Sequence, residues 1–299
     1  MLNEGHGTNG PLALLGGRGG HLCTIFRDIK MIKLIITDLD GTFLNRHGDY
    51  NRELFPQIKA LMQQQGVAFA LCTGKQCERV EELFGEQVRD FWILGDSATR
   101  IKHDGEYVYQ SLIKNALGRE IIHTLEEVNS EPVIIACTPF GAYVKNTIAP
   151  EMLQKVKMSY ANVVQVAAFD EVSHDFVKIS LFVIKGRCPQ IKPHLADYVD
   201  KAYIVVSEDA WIDIADVGVH KGHTVEILQE RLGVNKDETM VFGDGLNDIE
   251  LMTRATWSFA MRNAFDETKQ AARFITGYND DDAVMTTIAQ VLSLQQHPK

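Results

Sequence analysis

The sequence predicts an α/β protein: a parallel-sheet core with an α+β unit inserted into it. Three observations carry this. Strand-sized apolar runs such as KLIITDLD, VAFALCT and TMVFGDG alternate with helical periods near both ends of the chain, and strands this apolar are covered on both faces. From about Leu112 to Ser207 the pattern changes to repeated helix-strand-strand segments, which points to a mainly antiparallel sheet. After Lys221 the first pattern resumes. The expected division is a discontinuous core at 31–111 and 208–299, with an inserted domain at 112–207; 299 residues suffice for both.

Residues 1–30 differ from the rest. GHGTNGPLALLGGRGGH is glycine-rich without a sustained period, and PLALL is too short for a signal peptide. GGRGG lacks the Lys-Ser/Thr and helix of a phosphate-binding P-loop, so this stretch reads as a disordered or non-native leader. The first helix is expected from about Arg52 to Gln65, with Leu54, Ile58, Leu61 and Met62 on one face and Gly66 ending it. VAFALCT follows as a strand stopped by Gly74, then CERVEELFG as a helix. The insert reads as helix NALGREIIHTLEEV, strands PVIIACT and GAYVKN, helix APEMLQKVKMSY, strand DFVKISLFVI, helix QIKPHLADYV and strand AYIVV. The core returns with helix HTVEILQERLG, strand TMVFGDG, helix NDIELMTRA, a strand near Trp257–Met261 and a last helix near Asp282–Leu294.

The net charge of −10 argues against nucleic acid or an anionic membrane as partner, since both need a basic face. No apolar run approaches the roughly 18 residues of a membrane span. The cysteines at 23, 72, 77, 137 and 188 form no C-x-x-C pair. They read as reduced thiols of a cytoplasmic protein. His220 and His223 lie three apart without metal-site context and are expected to be solvated.

Four elements carry chemistry. Asp38-Leu39-Asp40-Gly41-Thr42 ends the first strand, where residues i and i+2 point the same way about 7 Å apart. One carboxylate can attack phosphorus while the other moves protons. Thr73-Gly74 ends the second strand and offers a hydroxyl and a backbone N–H to phosphate oxygens. Lys221 opens a helix where the chain re-enters the core, and supplies the local positive charge that an acidic protein needs to hold phosphate beside Asp38. Gly243-Asp244-Gly245-Leu246-Asn247-Asp248 joins a strand to a helix with hard oxygen ligands suited to Mg²⁺. Helix capping accounts for Asn247 or Asp248, and accounts less well for Asp244. In this order and context the four indicate phosphoryl transfer.

With these motifs the sequence resembles the haloacid dehalogenase superfamily of phosphohydrolases, in its Cof-like branch with a large α/β cap. The resemblance spans Lys33 to about Leu294 and includes WIDIADVGVHKG and AMRNAFDETKQAA. It implies a Rossmann-like core, a mobile cap and Mg²⁺-dependent hydrolysis of small phosphorylated metabolites, typically sugar phosphates, by a monomer or small homo-oligomer. Asp38 would be nucleophile and metal ligand. Asp40 would be acid/base and lend the metal its backbone carbonyl; Asp244 would be the third protein ligand, with Asp248 near the metal through water. Thr73, Gly74, Lys221 and Asn247 would hold the phosphate.

Three departures stand out. Asp96-Ser97-Ala98 replaces the family's frequent Asn-Gly-Ala, Thr73-Gly74-Lys75 its usual Thr-Gly-Arg, and Asp280-Asp281-Asp282-Ala283 stands where a glycine usually follows the acidic residues. None is expected to touch the four chemical groups. The turn Thr138-Pro139-Phe140-Gly141 is a candidate specificity loop, and Lys178 gives no sharper signal. Phosphotransfer to a second sugar hydroxyl, a non-catalytic metabolite sensor and a dehalogenase are the alternative functions.

Overall fold

A computed structural model describes residues 31–128, 132–183, 186, 188–208 and 210–296. The expected leader at 1–30 lies outside the described residues. The larger sheet has eight strands in the order β14-β13-β12-β1-β2-β3-β4-β5. These are β1 (Leu34–Thr37), β2 (Ala68–Cys72), β3 (Trp92–Gly95), β4 (Arg100–His103), β5 (Glu106–Gln110), β12 (Thr239–Gly243), β13 (Trp257–Ala260) and β14 (Phe274–Ile275). From β14 to β3 all neighbours are parallel, and β4 and β5 extend the edge antiparallel. β1 sits centrally with every residue buried, as its unbroken apolar run requires.

Helices cover this sheet: α1 (Phe55–Gln64), α2 (Cys77–Phe84), α6 (Lys221–Leu232), α7 (Ile249–Met252), α8 (Asp266–Ala271) and α9 (Ala283–Gln296). α1 starts three residues later than its periodicity suggests. Asn51 Oδ1 accepts from the Glu53 and Leu54 N–H groups, so 52–54 form a capping turn before Pro56 admits the helix. Its end follows expectation: Gly66 is left-handed (φ 65°) and Val67 N–H closes onto Met62 O at 2.9 Å. An aromatic block locks α1 and α2 to the sheet, with Phe43 edge-on to Phe55 at 5.2 Å and Tyr50 stacked on Phe84 at 4.7 Å.

The second sheet has six strands in the order β10-β11-β9-β6-β7-β8. They are β6 (Val133–Thr138), β7 (Gly141–Lys145), β8 (Val163–Val166), β9 (Lys178–Phe182), β10 (Ala202–Glu208) and β11 (Trp211–Asp216). All pairs are antiparallel except β7 with β8. Helices α3 (Asn115–Val128), α4 (Pro150–Ser159) and the short α5 (Cys188–Ile191) accompany it. The expected edge of the insert at 207 needs correction. WIDIAD forms β11, which pairs with β10 and β9 inside this sheet, so the second unit runs to Asp216. The expected helix QIKPHLADYV also divides, with 3₁₀ turns at Lys192–Tyr198 after α5; Pro193 lacks the N–H that would continue an α-helix.

Candidate active site

Asp38 follows β1 and its N–H donates to Phe242 O of β12 at 3.0 Å, so the parallel pairing carries it to the carboxyl edge of the sheet. The chain then closes a tight turn, Leu44 N–H onto Leu39 O at 2.8 Å, with Gly41 left-handed at φ 74°. A Cβ on Gly41 would stand 2.3 Å from Asp244 Oδ2. Glycine thus lets the β1 turn and the β12 loop approach each other, and Thr42 Oγ1 secures the approach by donating to Asp244 Oδ1 at 2.7 Å.

Lys221 Nζ, almost wholly buried, donates to Asp38 Oδ1 and to Asp248 Oδ1, both at 2.6 Å. The other oxygen of Asp248 accepts from the Asp244 and Gly245 N–H groups, each at 2.9 Å. Asp248 therefore shapes the Gly243–Asp248 loop and aims the lysine. His220 is half-buried rather than solvated; its Nδ1 accepts from His223 N–H at 3.2 Å and caps the Lys221 helix. Burial drives the Asp38 carboxyl well above the usual range; Lys221 opposes this, while Asp248 and Asp244 reinforce it. Burial also works to lower the Lys221 ammonium, but Asp248 and Asp38 outweigh it and hold it well above normal. One ammonium thus bridges two carboxylates, Asp38 and Asp248. Asp38, Asp244 and Asp248 offer oxygen atoms that all lie within 4.8 Å of one another. A hard, oxygen-only donor set short of positive charge fits a divalent cation.

A cavity of about 90 Å³ opens over this cluster between the two units. Asp38, Asp40, Gly74, Asp244 and Asn247 line it from the core; Tyr160, Lys178, Trp211 and Asp213 line it from the insert. Lys221 and Asn247 also line a smaller adjoining space with Ser97 and His220. Thr73 lies deeper. It is buried, and its Oγ1 accepts from Lys75 N–H at 3.1 Å. The motifs named from sequence are thereby assembled at one end of the parallel sheet.

The family model for haloacid dehalogenase-like hydrolases matches residues 35–288. The chain belongs to the haloacid dehalogenase-like hydrolases. It is 32% identical over 263 residues to the 5-amino-6-(5-phospho-D-ribitylamino)uracil phosphatase YbjI of Escherichia coli (strain K12), covering 87% of this chain and 96% of that one. The HMP-PP phosphatase of Klebsiella pneumoniae (strain 342) is 22% identical, over 80% of this chain and 87% of its own. Among solved structures, SMU.1108c from Streptococcus mutans UA159 superposes with a TM-score of 0.84 at 27% identity, over 88% of this chain and 99% of its own. The subclass IIB sugar phosphatase BT4131 gives 0.72 at 20% identity over 86% and 98%, a likeness of fold. The protein is a phosphoric monoester hydrolase with a cap domain, the six-stranded unit.

In this hydrolase several groups that sequence reasoning passed over reach the cavity. The departures were expected to leave the chemical groups untouched, yet Lys75 Nζ stands 2.9 Å from Asp40 Oδ2. Lys178, also passed over, is buried and donates to Gly74 O at 2.7 Å. Burial works to lower its ammonium, but Asp213, then Tyr160, Cys137 and Asp96, more than offset that. Asp213 accepts from Ser97 Oγ at 2.7 Å and from Ser180 Oγ at 2.5 Å. The signals were present but weak: a lysine and an aspartate each interrupt an otherwise apolar strand of the cap, DFVKISLF and WIDIA. The candidate specificity loop at 138–141 is not among the residues lining the cavity. Phe140 there is exposed and packs on His174, ring centroids 4.5 Å apart. Cys72, Cys77 and Cys137 are buried free thiols, and burial pushes Cys72 and Cys137 up to about 12.

Proposed function

We propose that this hydrolase cleaves small phosphate monoesters, sugar and polyol phosphates foremost, with Mg²⁺ and through a phosphorylated Asp38. The observation that carries the reading is the buried Asp38–Lys221–Asp248 arrangement at 2.6 Å on each side, with Asp38 lining the capped cavity. The E. coli relative is named for a phosphorylated ribityl compound, which supports a phosphate on a polyol chain. The buried thiols suit a reducing, cytoplasmic setting, and among the described residues no helix is long and apolar enough to cross a membrane. The partner expected is a small phosphorylated metabolite, bound by a monomer or small homo-oligomer.

In the mechanism, a carboxylate oxygen of Asp38 attacks phosphorus. The new P–O bond forms as the ester P–O bond breaks, and Asp40 passes a proton to the departing oxygen. Asp40 then takes a proton from water, whose oxygen attacks the same phosphorus and frees Asp38 with release of phosphate. Lys221 balances negative charge between Asp38 and the phosphoryl oxygens. The Thr73-Gly74 loop and Asn247 border the phosphoryl position, and the cap keeps bulk water from the acyl phosphate. Asp38, Asp244 and Asp248, with the Asp40 carbonyl, would hold Mg²⁺, which supplies Lewis-acid neutralisation of the transferring group.

The test is phosphate release from a panel of sugar phosphates and other small esters, with Mg²⁺ and then with chelator. Metal-dependent release without an added acceptor is expected, and Asp38→Asn should abolish it in a folded protein. Retained turnover in that variant would sink the phospho-aspartate route; turnover unaffected by chelator would sink the metal requirement.

A further inference from the structure

Among the described residues the chain passes between core and cap at 111–114 and 217–220. The two crossings are tied together where Ser111 Oγ donates to Asp216 Oδ2 at 2.6 Å. A cap held by two short crossings can swing unless side chains restrain it. Such restraints converge on two core loops. Gln76 N–H donates to Ser159 O at 3.0 Å, and Gln76 Oε1 accepts from Ala161 N–H at 2.9 Å. Lys178 of the cap reaches Gly74 O at 2.7 Å and Ser97 Oγ at 3.1 Å, and Asp213 accepts from Ser97 at 2.7 Å.

The two core loops are themselves zipped together. Asp96 N–H donates to Lys75 O at 2.8 Å and Ser97 N–H to Thr73 O at 3.0 Å. The conformation of 96–98 therefore sets the shape of the Thr73–Lys75 loop on the cavity wall. That conformation is unusual: Asp96, Ser97 and Ala98 are all left-handed, at φ 55°, 61° and 63°. Consecutive non-glycine residues in this region persist only where their surroundings over-determine them. Thr224 Oγ1 holds Ala98 O from the Lys221 helix, and Thr99 Oγ1 holds Asp96 O at 2.9 Å. The restraint on Ser97's side chain comes from the cap.

We propose that Ser97, Lys178 and Asp213 are positioning residues that couple closure of the cap to the shape of the Thr73–Lys75 loop. Lys178 and Asp213 meet 3.5 Å apart, nearly free of solvent. Such a pair contributes little net stability, because desolvation offsets attraction. When the cap lifts, both charges regain water, which lowers the cost of opening and makes the contact reversible. When it closes, Lys178 fixes the Gly74 carbonyl and Ser97 fixes the loop beneath it. The kinetic arm of the test rests on the phosphatase reading; the exchange arm does not.

The test uses Ser97→Ala, which keeps the backbone as permissive as its neighbour Ala98, and Asp213→Asn. Amide hydrogen exchange at Gln76 and Ala161 is expected to quicken about tenfold or more, the equivalent of one lost hydrogen bond. Ile179 and Leu181, inside the cap sheet, should exchange as before. kcat should fall about tenfold, and the double variant should be no worse than the poorer single one. Unchanged exchange at Gln76 and Ala161, or exchange that quickens throughout the cap, overturns the proposal. So do additive losses, or faster exchange with kcat intact. Ser97→Gly adds a control: it relieves the left-handed strain while removing the hydroxyl, so recovered activity there would assign the effect to strain and also overturn it.

Discussion

Lys75 Nζ lies 2.9 Å from Asp40 Oδ2, so the chain's replacement for the family's usual arginine grips the carboxylate expected to move protons. Asp40 is half exposed, so an ion pair of this kind contributes about 0.2–1 kcal/mol. Lys75→Met should therefore lower kcat/KM by up to about fivefold, and Lys75→Arg should restore most of it. Steady-state kinetics on the preferred ester decide this; a methionine variant at full activity would mean that Asp40 needs no partner.

Gly41→Ala should damage the site more than the fold. The added Cβ meets Asp244 Oδ2 at 2.3 Å, and displacement of a reacting group by about 1 Å can cost about a hundredfold in rate. Gly48 is the matched control, since it is equally left-handed at φ 72° with nothing within 4 Å of its virtual Cβ. Both alanine variants should lose about 1–2 kcal/mol of stability. Only Gly41→Ala should lose turnover; equal activity in the two would remove the steric argument.

Asp96 supplies a pH dependence. Burial pushes its carboxyl up to about 6, against the opposing pull of Arg100 and Lys178. The folded pKa then lies above the unfolded value, so the native state holds the extra proton between pH about 4 and about 6. Stability attributable to this group is greatest below that window and is lost as pH rises through it. Asp96→Asn removes the ionisation and keeps a residue that tolerates left-handed backbone. Relative to the parent, it should gain about 2–3 kcal/mol on going from pH 4 to pH 7. Urea unfolding at the two pH values measures the difference; a constant offset would show that Asp96 does not titrate in this range.

Lys221→Met should destabilise the metal-free protein by about 3–5 kcal/mol, because it strands two buried carboxylates. Added Mg²⁺ should recover part of that loss and should also raise the melting temperature of the parent, through binding to the native state. Unfolding curves with Mg²⁺ and with chelator test both statements. A variant as stable as the parent in chelator would contradict the charge balance described for Asp38 and Asp248.

What was legible in the sequence had local causes. Asp38-Leu39-Asp40-Gly41-Thr42 and Gly243–Asp248 each announce a strand end and a turn within a few residues, and the parallel sheet then brings them together. Ser97, Lys178 and Asp213 were only weakly legible, for the opposite reason. Their partners lie 81 and 116 positions away, and a serine does not itself signal left-handed backbone as a glycine would. The edge of the cap was misread because WIDIAD looks like a buried strand of either sheet; pairing with β9 and β10 is a non-local fact. The start of α1 shifted because Asn51 could form a capping turn as readily as it could precede a helix.

Trp211 forms part of the cavity wall from the cap side, its ring 4.6 Å from that of Phe182. The other two tryptophans are in the core sheet, Trp92 stacked on His103 and Trp257 on Phe274. The chain therefore carries its own optical probe at the mouth of the site. An indole there should change its emission when the cap lifts or a ligand enters, while the two core indoles hold a steady background. Stopped-flow fluorescence on unlabelled protein can then time cap movement separately from the chemistry beneath it.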